Sequence, residues 1–111
     1  MQYRYLGNSG LRVSVLSFGN WLNSNKAEDY ELTRDAIKIC YDAGINFYDT
    51  AEIYGNGQAE TSMGRAIKEL NLRRERLVVS TKLFRCIIEG EVTVNDTFLS
   101  RKHIIEGINV K

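Results

Sequence analysis

The chain has 111 residues and a mass of 12.7 kDa, a length that fits one domain. Its 43% hydrophobic and 26% charged residues exclude a disordered or fibrous chain, and the absence of proline excludes collagen-like and proline-rich designs. Fifteen Lys and Arg against fourteen Asp and Glu leave a net charge of +1 and a pI of about 7.7. A nucleic-acid binder ordinarily carries a basic excess, with a pI above ~9. The densest basic run here, Arg73-Arg74-Glu75-Arg76, has a carboxylate inside it and reads as a solvated turn. No apolar run approaches the ~20 residues that a bilayer crossing needs. Cys40 and Cys86 have no further ligand at metal-binding spacing, so neither a disulfide scaffold nor a zinc site is expected. Both read as small apolar fillers. The start, Met1-Gln2-Tyr3-Arg4-Tyr5, lacks the apolar core of a secretory signal, which points to a cytoplasmic protein.

In chain order, Tyr3 and Tyr5 against Leu11 and Val13 predict a hairpin around Gly7-Asn8-Ser9-Gly10. The β-branched and aromatic run Val13–Phe18 predicts a strand that Gly19 stops. From Glu28 to Ala43 the period becomes helical, with Leu32, Ala36, Ile39, Cys40 and Ala43 as the apolar stripe. Acidic residues crowd its first turns, and Gly44 stands where a helix-ending glycine belongs. Residues 45–50 predict a strand with Phe47 and Asp49 on one face and Tyr48 and Thr50 on the other. After a turn at Tyr54–Gly57, the residues Ala59, Met63, Ala66, Ile67 and Leu70 predict a second helix. Residues 77–82 predict a third strand, apolar at its start as buried parallel strands are. Ser100 then caps a third helix carrying Ile104, Ile105 and Ile108. The order, a hairpin followed by β-α-β-α-β-α, predicts an α/β fold with a parallel sheet and right-handed crossovers.

Such folds place their sites at the carboxyl edge of the sheet. There the sequence sets Gly19-Asn20-Trp21, Asp49 through Tyr54, and Thr81-Lys82. An acid, a phenol and an ammonium on neighbouring strands suit proton donation. A free phenol, with a pKa near ~10, is a weak acid at neutral pH. An ammonium beside it stabilises the phenolate, and a carboxylate holds the ammonium. Tyr54, Lys82 and Asp49 are the candidates for these roles. The same residue types also serve as a strand-end cap, a solvated lysine and a turn aromatic, so the pattern alone leaves both readings open. Gly55-Asn56-Gly57 lacks the third glycine of a dinucleotide loop, with Glu60 in its place. His103, flanked by Arg101 and Lys102, reads as an exposed helix residue, and no serine has the partners of a hydrolase triad.

Three stretches together resemble the aldo-keto reductase superfamily: Tyr3 to Ser14, Gly44-Ile45-Asn46-Phe47-Tyr48-Asp49-Thr50-Ala51-Glu52-Ile53-Tyr54-Gly55, and Ser80-Thr81-Lys82. The run Leu99 to Gly107 is most similar to the β-subunits of voltage-gated potassium channels. The resemblance implies that residues 1–111 form the N-terminal portion of a TIM (β/α)8 barrel, a hairpin plus about three β/α units. It further implies NADPH as cofactor and hydride transfer to aldehydes or ketones. Asp49, Tyr54 and Lys82 match catalytic positions, while Gly19, Asn20, Trp21 and Asp49 match the nicotinamide side of the cofactor site. The family's fourth catalytic residue lies beyond Lys111. Asn20 stands where threonine is usual, and Phe84-Arg85-Cys86-Ile87 replaces an aromatic-glycine stretch. Because an eightfold barrel takes about 250 residues, this length alone is expected to be inactive. The alternative is a non-catalytic, reductase-derived subunit of a larger assembly, with a channel or cytoskeletal partner.

Overall fold

The computed structural model describes residues 1–21, 29–84, 94–95 and 98–109. Strands β1 (Tyr3–Tyr5) and β2 (Arg12–Ser14) form the expected antiparallel hairpin, with Tyr3 opposite Ser14 and Tyr5 opposite Arg12. The single strand expected over Val13–Phe18 is instead two. Val13 and Ser14 end the hairpin, and β3 is only Phe18–Gly19. The break has a local cause: Ser14 Oγ donates to Leu16 O at 2.6 Å and folds the chain over between them.

Strands β3, β4 (Phe47–Asp49) and β5 (Val78–Ser80) form one parallel sheet in that order. Helix α1 (Asp29–Asp42) connects the first pair and α2 (Gln58–Glu69) the second. This is the parallel β-α-β-α-β order that the alternating periods predict, and α3 (Arg101–Asn109) completes it. Helix α1 ends as expected. Gly44 takes φ +87, its N–H reaches Tyr41 O, and the Ile45 N–H reaches Cys40 O. A Cβ at Gly44 would lie 3.0 Å from Tyr3 Oη and 3.1 Å from Met1 Cβ. Gly44→Ala therefore combines a left-handed alanine with a crowded contact. It is expected to cost about 1–2 kcal/mol, read as a lower urea midpoint.

The core lies between the sheet and the two helices, around Ile37, Tyr48, Met63, Ala66 and Leu77. The face expected of α2 is the one that packs, with Ala59, Met63 and Ala66 buried. The face expected of α1 packs only in part, through Cys40 and half-buried Ala36. Leu32 is 60% and Ile39 69% exposed, while Thr33 and Ile37 are fully buried. Tyr30, Cys40 and Tyr41 flank that buried pair, so the true stripe is rotated by about one residue. Ile37→Ala is expected to destabilise the fold by about 2–5 kcal/mol, also measured by denaturation. In α3 the buried residue is His103, whereas Ile105 and Ile108 are exposed. Its expected cap is present, with the His103 N–H donating to Ser100 Oγ at 3.0 Å.

The hairpin is tied to the amino end of the sheet. Asn46 Oδ1 accepts the Ser14 N–H at 2.8 Å, Asn46 Nδ2 donates to Arg12 O at 2.9 Å, and Tyr3 Oη donates to Gly44 O at 2.7 Å. The opposite, carboxyl edge is thereby left for the residues with chemistry. Cys40 is half-buried and unbonded to sulfur, and burial pushes its thiol pKa up. Cys86 lies outside the described residues, as do Arg85, Ile87 and Lys111.

Candidate active site

Strand register brings the site together. Gly19 pairs with Asp49, and Asp49 with Ser80, so these three residues form one row across the carboxyl edge. On the face away from the helices, the Asp49 carboxylate meets Lys82, whose Nζ lies 2.9 Å from Oδ1 and 2.7 Å from Oδ2. Lys82 Nζ also donates to Thr50 O at 2.6 Å, and Ser80 Oγ to Asp49 Oδ1 at 2.6 Å. Burial alone would raise the Asp49 carboxyl, but the hydrogen bonds from Lys82 and Ser80, with the Lys82 charge, hold it below its ordinary value.

Tyr54 follows on a tight turn. Its N–H donates to Ala51 O at 3.1 Å, and Gly55 and Asn56 then take left-handed backbone, with φ 56 and 52. The turn sets the phenol ring beside Lys82, whose Nζ lies 5.1 Å from the ring centre. The Trp21 ring also lies against it, 5.9 Å away between centres and inclined by 29°. Asp49, Tyr54 and Lys82 thus form one continuous group. A cleft of about 190 Å³ lined by Ala51, Glu52, Ile53, Tyr54, Lys82 and Phe84 opens beside it.

The other sequence candidates divide. Gly19 faces open space, since a Cβ there would meet nothing within 4 Å, and Trp21 is 64% exposed. Asn20 is buried: its Nδ2 donates to Ala59 O at 2.7 Å, so its side chain fixes the start of α2. His103 is not the exposed residue its basic neighbours suggest. It is 4% exposed, with Nε2 3.1 Å from Glu52 Oε1. Sequence reasoning missed Glu52 and Ser80. Ser80 was legible in principle, because parallel pairing aligns it with Asp49. The Glu52–His103 contact spans 51 positions, and no local pattern marks it. A larger cavity, about 740 Å³, lies between α2, β5 and α3, but none of Asp49, Tyr54 and Lys82 lines it. Among the described residues no three His, Cys, Asp or Glu side chains gather as a metal site. Nor is any described helix long and apolar enough to cross a membrane.

The described residues thus set an acid, an ammonium and a phenol at the carboxyl edge of a parallel α/β sheet. Residues 15–110 match the model of the Aldo/keto reductase family, and the chain belongs to that family. Among curated proteins it is 50% identical over 107 residues to one from Arabidopsis thaliana described as a probable voltage-gated potassium channel subunit beta. It is likewise 50% identical over 108 residues to one of the same description from Oryza sativa subsp. japonica. These alignments cover 96% and 97% of this chain but 31% and 32% of the relatives, so the chain spans about a third of their length.

Solved structures agree on the fold. A Pseudomonas aeruginosa structure assigned to the aldo-keto reductases superposes with a TM-score of 0.78 at 27% identity, over 97% of this chain and 40% of that one. An aldo-keto reductase from Klebsiella pneumoniae, crystallised with NADPH, gives 0.59 at 32% identity, over 66% of this chain and 25% of that one. The fold is therefore part of a TIM barrel of the aldo-keto reductase type.

Proposed function

We propose that this chain carries the proton-donating part of an NADPH-dependent carbonyl reductase site, with Tyr54 as donor. The observation that carries the reading is the Asp49–Lys82 ion pair set against the Tyr54 ring at the carboxyl edge. Tyr54 Oη gives its proton to the carbonyl oxygen of an aldehyde or ketone. Lys82 stabilises the phenolate left behind, and Asp49 holds Lys82 in place. NADPH, when bound, supplies the hydride that reaches the carbonyl carbon, so the products are an alcohol and NADP⁺.

The residues present suit the nicotinamide end of that cofactor. Gly19 leaves open space at the strand end, and Trp21 offers an exposed flat ring beside Tyr54. Asp49 borders the same space, while Asn20 contributes by pinning the Gly19–Trp21 segment to α2. In the reducing cytoplasm, the native protein carrying this chain is expected to oxidise NADPH with para-nitrobenzaldehyde and form the alcohol in equal amount. NADPH left unoxidised would contradict the reading.

The channel-subunit descriptions of the relatives favour a second reading, in which the module serves as a subunit of an assembly. Co-purification of the native protein with a membrane channel, without turnover, is the outcome that supports it.

A further inference from the structure

Two buried ionisable side chains take no part in the proton transfer described above. Glu52 and His103 are each 4% exposed, and His103 Nε2 lies 3.1 Å from Glu52 Oε1, within hydrogen-bond reach. A buried carboxylate and imidazole persist only where hydrogen bonds offset their desolvation, and here Glu52 has several. Its Oε1 also accepts the Phe84 N–H at 2.5 Å, and its own N–H donates to Lys82 O at 3.2 Å. Glu52 is therefore the knot between the segment that carries Tyr54, two residues on, and the segment that carries Lys82.

His103 ties that knot to α3. The Ser100 cap places His103 in the helix's first turn, facing Glu52. One turn later Gly107 lets the helix come close, since a Cβ there would lie 2.8 Å from Leu83 Cδ2 and 3.7 Å from Glu52 Oε2. At Gly107 the helix thus lies close to Leu83 as well as to Glu52.

We propose that Glu52 and His103 are positioning residues, a buried clamp through which α3 fixes Tyr54 relative to Lys82; this rests on the reading of Tyr54 as proton donor. Without the imidazole, Glu52 loses its tie to α3 while its bonds to the Lys82 segment remain, and the Ala51–Tyr54 turn is held less firmly against the ammonium. Misplacement of a reacting group by about 1 Å can cost roughly 10²-fold in rate.

The test uses the native protein in four forms: wild type, His103→Leu, His103→Gln and Tyr54→Phe. Glutamine restores an N–H donor near the position of Nε2, whereas leucine fills space without one. With NADPH and para-nitrobenzaldehyde, His103→Leu is expected to lower kcat roughly 10- to 100-fold with KM within about twofold, and His103→Gln to recover most of it. A spectroscopic readout needs no turnover. Trp21 is the one tryptophan in this sequence and lies against Tyr54, so its indole N–H resonance senses that ring. The resonance is expected to move in His103→Leu and to return in His103→Gln. An unchanged kcat and an unmoved resonance in a folded His103→Leu protein would overturn the proposal. If the leucine protein does not fold, His103→Gln decides: wild-type kcat and resonance support the clamp, and displaced values in a folded protein overturn it. Full turnover in Tyr54→Phe would instead overturn the donor reading, and the indole resonance would still report on the clamp.

Discussion

Tyr54→Phe is expected to lower kcat for carbonyl reduction by about 10²–10⁴-fold, the range that positioned proton donors contribute. The substitution removes one oxygen and keeps the ring, so the contacts with Trp21 and Lys82 remain possible. NADPH affinity is expected to change little, because the hydroxyl acts on the substrate oxygen. Stability is expected to change by less than ~0.5 kcal/mol, as for other partly exposed positions. Steady-state kinetics alongside a cofactor titration checks both parts. Equal loss of kcat and kcat/KM marks an interaction made in the transition state.

Lys82→Met is expected to produce the second large loss, about 10²-fold or more in kcat. Methionine keeps much of the stem but removes the ammonium that Asp49, Thr50 O and the Tyr54 ring all face. Its effect on stability should be small. The side chains of Lys82 and Asp49 are 49% and 39% exposed, and ion pairs of that kind are worth about 0–1 kcal/mol. The pH dependence has a defined sign. Because Asp49 is depressed in the folded chain, its contribution is present above the unfolded carboxyl's range and is lost as pH falls through the folded value. In Lys82→Met the Asp49 carboxyl is expected to titrate at higher pH than in wild type, so that contribution disappears earlier on acidification. A carbon NMR titration of the Asp49 carboxyl measures the shift directly.

Much of this arrangement was legible in the residues. Gly44 and Ser100 ended and began helices where capping chemistry places them, because both act within one turn of chain. The proximity of Asp49 and Lys82 followed from parallel order, since neighbouring strands bring their carboxyl ends together, and the turn after β4 adds Tyr54. What failed depended on contacts made at a distance. In α1 the fit of Ile37 against Tyr48 and Met63 turns Leu32 and Ile39 outward, while Cys40 of the expected stripe still packs on the core. His103 looked solvated because Arg101 and Lys102 precede it, yet a helix turns those side chains away from its own face. The strand expected over Val13–Phe18 broke because the hydroxyl of Ser14 closed a turn that composition does not encode.

The most direct test of the central claim is a crystal structure of the native protein with NADP⁺ and a carbonyl compound bound. The account predicts Tyr54 Oη within about 2.6–3.2 Å of the carbonyl oxygen, the reach of a proton donor, with the Asp49–Lys82 pair intact behind it. A carbonyl oxygen held by another group, with Tyr54 beyond that distance, would contradict it.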